Sequence, residues 1–253
     1  MAMEKQSLYA YMLTLGDNAL ILGQRLGELC GHGPSLETDI ALTNIALDLL
    51  GQTRSCFQYA ASQLEGKSED DVAFSRKENQ YTNVLLVEQP NTDFAYVITR
   101  QYFFDVYHLM LMEWLAVNSA DETIKAIANK AVKEARYHRR FSSDWMLRLG
   151  DGTSESHQRV VQAVEDLWPY TQEFFVPSEA ETLAAQAGIG PELSSFKEHY
   201  YNDVVSLLQK ATIAVPENPY FQKGGKQGVH TEHMGYLLAD LQYMQRTYPN
   251  MTW

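Results

Sequence analysis

The sequence predicts an all-α protein centred on two long helical hairpins joined by a crossover, with further helices behind them. Three observations lead there. Four long windows carry apolar side chains at helical spacing. Short turns rich in glycine, proline or polar residues separate the two windows of each pair. No proline falls between Pro90 and Pro169, so nothing interrupts a second pair of long helices.

Residues 6–29 form the first helix, with Leu8, Met12, Leu15, Ala19, Leu22, Leu26 and Leu29 on one stripe. Gly31-His32-Gly33-Pro34 breaks it, and Ser35 is placed to cap a second helix over 36–64. That helix is apolar on two sides. Leu42, Ile45, Leu49, Cys56 and Ala60 line one; Ile40 and Leu47 lie among Asn44, Asp48 and Arg54 on the other. Such a helix is wrapped by neighbours or covers a partner. Residues 66–71 read as a solvated turn and 83–90 as an apolar crossover stopped by proline. The third helix, 93–118, aligns Phe94, Ile98, Tyr102, Asp105, Leu109, Met112 and Ala116. Ser119-Ala-Asp-Glu122 is a capping box for the fourth, 120–149, with Ile124, Ile127, Ala131, Glu134, His138, Phe141 and Trp145 facing inward. Further helices follow at 154–175 (kinked or ended by Pro169), 179–188 (opened by a Ser178…Glu181 capping box), 191–210 (starting at Pro191) and, after a Pro/Gly/Lys loop over 216–229, 230–248. Two hairpins with a crossover make the ferritin-like topology, and 1–253 reads as one domain with a four-helix core.

Composition excludes several classes. A formal net charge of −12 argues against nucleic acid, whose phosphates need a basic surface, and suits a basic partner. No apolar run approaches the ~18 residues of a membrane span. The N-terminus lacks a basic-then-apolar leader, so a cytoplasmic location is expected. Cys30 and Cys56 fall in apolar helical surroundings and read as small hydrophobes of a reducing compartment.

The core polar residues carry the most information. Asp105 and Glu134 sit centrally on the stripes of consecutive antiparallel helices, as in half of a carboxylate-bridged metal site. In isolation each is equally a buried acid satisfied by neighbouring side chains. In the first hairpin the corresponding central positions are Ala19 and Leu49, a methyl and an isobutyl group. Three residues after Leu49 comes Gln52, and three after Glu134 comes Tyr137, where a Glu-x-x-His step would supply histidine. Only two of six ligand positions hold carboxylates, too few to grip iron. His138 faces inward as a hydrogen-bond partner for Glu134 or Asp105. His230 and His233 share a helix face but lack further ligands, and more simply pack the start of the last helix. Lys223-Gly-Gly-Lys226 could hold a phosphate, though it is not a P-loop; a surface turn is the plainer reading.

Several stretches together resemble one family almost end to end: LGDNALILGQRLGE, LETDIALTNIALDLLGQTR, NVLLVEQPNTDFA, RQYFFDVYH, KEARYHRRFS and KGGKQGVHTEHMG. They are similar to the PaaC family, the structural subunits of the multicomponent ring 1,2-phenylacetyl-CoA epoxidase of phenylacetate degradation. The resemblance implies a ferritin-like helical subunit without cofactor or catalytic residues of its own. It implies a heteromer with a catalytic subunit that holds the di-iron centre and binds the CoA thioester. It also implies a coupling protein and a reductase that deliver electrons from NADPH. Lys223, Lys226, His230 and His233 are then candidate contacts to CoA or a partner. Outward apolar or aromatic residues of the second and third helices are candidates for the heteromeric surface, and a homodimer is compatible with the same features. The rivals are an active di-iron oxygenase in its own right and a standalone CoA-binding helical protein.

Overall fold

In a computed structural model, which describes residues 4–217, 220–249 and 251, every regular element among those residues is helical. The α-helices are α1 (Lys5–Glu28), α2 (Leu36–Ala61), α3 (Glu69–Phe74), α4 (Phe94–Asn118), α5 (Glu122–Gly150), α6 (Ser154–Leu167), α7 (Glu179–Gln186), α8 (Lys197–Lys210), α9 (Glu232–Leu241) and α10 (Tyr243–Thr247). Among the described residues no helix is long and apolar enough to cross a membrane. The chain forms two compact units, each built on one of the two expected hairpins: residues 1–90, 178–187 and 224–253 in the first, 91–177 and 188–223 in the second.

In the first unit α1 and α2 form an antiparallel hairpin. Ser35 caps α2 by accepting the Thr38 N–H at 3.3 Å. The helices approach closely at Gly16, where a Cβ would stand 2.3 Å from the Phe57 ring. Thr53 Oγ1 donates there to the Gly16 carbonyl at 3.3 Å. The expected turn at 66–71 instead starts α3. Ser68 and Asp71 cap each other's backbone, so the acidic run serves a helix N-terminus rather than a loop. The crossover tightens into a 3-10 turn, Leu85–Glu88, that is buried throughout. The last helix, expected over 230–248, breaks at Gln242 into α9 and α10 because the Gln242 side chain turns inward to donate to the Arg76 carbonyl and the Tyr81 hydroxyl.

Charge pairs hold these pieces. Asp17 on α1 is fully buried and accepts a two-pronged bond from Arg76, together with the Thr82 N–H at 2.8 Å. The Arg76 guanidinium also stacks on the Tyr81 ring, 4.0 Å from its centroid.

The second unit is built on α4 and α5. Asp121, not Ser119, caps α5, accepting the Thr123 and Ile124 N–H groups at 2.9 Å; Asp is as good a cap as Ser and stands nearer the helix. α4 is apolar nearly all round and buried along most of its length. Val117 is the one large apolar side chain it exposes among the described residues, so the expected outward face exists on α2 but not here. The deepest row of α5 is Ile124, Ala128, Ala131, Ala135, His138, Ser142 and Met146, rotated from the expected stripe. Three alanines on that row bring α5 close to α4, and Glu134, Phe141 and Trp145 become half-buried flanks. α6 ends at Leu167 and Pro169 turns the chain into a 3-10 segment, Trp168–Phe175, as expected of an interior proline. Pro191 precedes a second 3-10 turn, Leu193–Phe196, rather than opening a helix directly. Aromatic packing closes this unit: Tyr107 stacks on Phe174 at 4.4 Å, and Tyr200 donates to the Phe103 carbonyl at 3.1 Å.

Replacing Arg76 with Met leaves the Asp17 carboxylate buried without its cation. The expected loss is about 3–5 kcal/mol of unfolding free energy by denaturant titration. The double variant Asp17→Asn with Arg76→Met should recover most of it.

Candidate functional site

The second unit brings together two of the expected residues and one that the spacing argument passed over. Asp105 on α4 is buried. Its Oδ1 accepts the Gln101 side-chain N–H at 2.6 Å and its Oδ2 accepts the Ser142 hydroxyl at 2.8 Å. Ser142 lies one turn beyond His138, which is buried on the same row of α5. His108, three residues after Asp105, is buried as well and close enough to His138 for that imidazole to disfavour its charge. The Asp-x-x-His step on α4 is the signal that could have found it. Glu134 is half-buried, and Tyr137 is 47% exposed, so it does not take a ligand-like position in the interior.

Burial dominates the electrostatics. It pushes the Asp105 carboxyl up to about 8, against the opposing pull of Ser142, Gln101 and Arg139. Burial, with His138 nearby, pushes His108 down to about 3. At neutral pH Asp105 is mostly a neutral acid and His108 a neutral imidazole.

In the first unit Ala19 and Leu49 are buried, and Gln52 is buried beside them on α2. A bridged pair of iron ions needs anionic oxygen and imidazole from each hairpin. The methyl and isobutyl groups at Ala19 and Leu49 do not fit that requirement. Among the described residues, no three His, Cys, Asp or Glu side chains converge as a metal-holding group.

The glycine–lysine loop departs from the expected surface turn. Gly225 and Lys226 are buried: a Cβ at Gly225 would stand 2.2 Å from the Asn83 carbonyl oxygen, and the Lys226 ammonium lies 3.0 and 3.1 Å from the Glu181 oxygens. Gly224 and Gly228 have φ of 137° and 76°, which only glycine adopts readily. Lys223 is exposed, and residues 218–219 of the expected 216–229 loop lie outside the described residues. A pocket of about 440 Å³ opens beside the loop, lined by Thr14, Thr82, Ser178, Lys226 and Gln227 among others. Its one lysine is already committed to Glu181.

His230 is drawn inward by the crossover. Its Nδ1 lies 2.5 Å from Glu88 Oε1, and its Nε2 lies 3.0 Å from the Tyr81 carbonyl. Glu88, buried on the 3-10 turn, also accepts Asn83 at 2.9 Å and the N–H and hydroxyl of Thr231 at 2.9 and 2.7 Å. Burial opposes the imidazolium most strongly, but the Glu88 carboxylate, the Tyr81 carbonyl and Glu78 together outweigh it and hold His230 above the ordinary histidine value. His233 is half-buried one turn on; its backbone carbonyl accepts from Arg25 at 3.3 Å. The two histidines therefore serve internal packing rather than a shared ligand. Cys56 is buried, its thiol pushed up to about 12 by that burial, whereas Cys30 is exposed in the turn after α1.

Comparison with known proteins adds two findings. The sequence pattern of one family, described as phenylacetic acid catabolic protein, matches residues 1–253. The C component of the 1,2-phenylacetyl-CoA epoxidase of Escherichia coli (strain K12), one of that enzyme's subunits, is 48% identical over 246 residues, which cover 97% of this chain and 99% of that protein.

Two pH effects follow from the buried groups. Asp105 keeps its proton in the folded chain up to about pH 8, whereas an unfolded aspartate releases it near pH 3.9. The folded state therefore binds the extra proton across that window, and stability falls as pH rises through it, by up to roughly 1.4 kcal/mol per unit. Asp105→Asn should flatten the decline of Tm between pH 5 and 8. For His230 the raised value means that the Glu88 pair contributes fully below about pH 6.5 and is lost as pH climbs through the folded-state value. His230→Gln should remove that alkaline loss in the same thermal scans.

Proposed function

The chain belongs to the phenylacetic acid catabolic protein family, and from that premise we propose that it is the structural subunit of a multicomponent phenylacetyl-CoA epoxidase. In this reading it binds and stabilises a di-iron catalytic subunit and performs no chemistry itself. The observation that carries the reading is the 48% identity to the C component of such an epoxidase, spanning nearly the whole of both chains. The residues support it. Ala19 and Leu49 bury hydrocarbon where a working centre would hold carboxylates, and the Asp105 carboxyl is committed to Gln101 and Ser142.

The physical role is support. A di-iron bundle must bury charged ligands, which weakens it unless each is satisfied. A sister chain whose interior carries hydrocarbon at those positions can pack against it and stabilise it by mass action. The two hairpins act as one ferritin-like domain over 1–253, in the cytoplasm, with a coupling protein and an NADPH-dependent reductase completing the system. Lys223, exposed at the loop, remains a candidate contact to the CoA tail or to a partner; Lys226 and His230 are engaged internally. Self-association into a homodimer is compatible with this role.

One observation favours a second reading, an active di-iron oxygenase in its own right. Asp105 with His108 and Glu134 with His138 place two carboxylates and two imidazoles on paired helices. Co-expression separates the readings. With the catalytic subunit, oxygen, NADPH and the reductase present, epoxidation of phenylacetyl-CoA is expected to require both chains. Omitting this chain should lower activity and yield of soluble catalytic subunit at least about tenfold. Near-stoichiometric iron in the chain purified alone, with oxygen-dependent turnover, would establish the second reading instead.

A further inference from the structure

α2 carries a second apolar face that the other described residues of its unit leave exposed. Leu36, Ile40 and Leu47 are 73%, 51% and 61% exposed, and Leu50 is exposed beside them. At 3.6 residues per turn these four and Gly51 fall within an arc of about 100°. The opposite side of the helix, with Leu42, Ile45 and Leu49, is buried. Single exposed leucines mean little, but a row of them along one helix marks a contact surface.

Gly51 lies beside this row. Glycine inside a helix is costly. Gly16 has a reason within the chain, since a Cβ there would strike Phe57 at 2.3 Å; at Gly51 a Cβ would meet nothing within 4 Å. Gly51 therefore leaves open space beside the row among the described residues, as Gly27 does on α1. At Leu50 the row runs into a pocket of about 270 Å³ lined by Leu20, Leu50, Arg54, Phe57, Glu69 and Asp70 among others. That is below the roughly 300–1,000 Å³ of small-molecule sites and suits one inserted side chain. The surrounding charge is acidic: Glu37 and Asp70 are exposed, and the one cation among the lining residues, Arg54, lies 3.6 Å from Glu69.

We propose that this face of α2 receives an amphipathic helix of a different protein, with one apolar anchor in the pocket at Leu50 and lysines or arginines meeting Glu37 and Asp70. A second copy of this chain is the poorer occupant, because it would bring like-charged rims together on a molecule of formal charge −12. The inference rests on the subunit reading for the owner of that helix, the catalytic subunit.

The test is titration of the purified chain with the catalytic subunit, by calorimetry and sedimentation. The unaltered pair should bind. Leu47→Glu should weaken Kd at least about 100-fold with an unchanged Tm, and Gly51→Phe at least about tenfold with a Tm unchanged or raised. Asp70→Lys should slow association several-fold. If Leu47→Glu lowers Tm, Gly51→Phe, whose side chain enters open space, decides. Normal binding by both variants would overturn the surface and leave the subunit reading standing. Failure of the unaltered chain to bind would overturn both. Variants that turn a self-associated chain into monomers while keeping partner affinity would assign the face to a second copy, and the proposal would fall.

Discussion

The first unit depends on one constraint: every deeply buried acid must be met by a cation from a distant part of the chain. Asp17 on α1 takes Arg76, Glu88 on the crossover takes His230, and Glu181 on α7 takes Lys226. A carboxylate taken out of water without a partner is unstable, so each pair works as a lock that closes only when the right segments meet. Apolar burial alone would let α7, the crossover and the C-terminal arm slide; the three pairs fix which piece lies where. Arg25 adds to this by bonding the Glu88 carbonyl through two nitrogens, at 3.0 and 2.8 Å.

The second unit houses Asp105, one of its two buried acids among the described residues, differently. Asp105 has hydroxyl and amide partners, and burial shifts it toward the neutral form instead of toward a salt bridge. Around it lie a neutral imidazole at His108, an alanine-lined approach of α5 and a dense aromatic cluster from Tyr107 to Tyr200. These are the properties of a well-packed interior that tolerates a few polar groups. They accord with the supporting role that we propose for the chain.

The helices were legible in the sequence because their signals are local. Periodicity, the Ser35 and Ser178 caps and Pro169 all act over a few residues, and the long helices end within a few residues of expectation. The face of α5 was less legible. Its true inward row is rich in alanine, whose weak hydrophobic signal is outweighed by Ile127, Phe141 and Trp145 on the flank, and so Glu134 and Tyr137 seemed more central than they are. His108 was within reach of a spacing argument, hidden in a helix where nearly every side chain is buried. The ion pairs were not legible at all. Lys226 looks like exposed loop chemistry, and the packing expected of His230 names no partner, until Glu181 and Glu88, 45 and 142 residues away, are brought to them.

The discontinuous layout of the first unit has a consequence for how the protein is made. Residues 91–177 and 188–223 complete the second unit before the C-terminal arm has left the ribosome. Glu88 is translated 142 residues ahead of His230, a wait of roughly 7–30 s at about 5–20 residues per second. Through that interval Glu88 on the crossover is without its counter-charge, while Asp17 on α1 already has Arg76 within reach. The first unit therefore closes only after the residues of the second have been synthesised, and Glu88 meets its imidazole late.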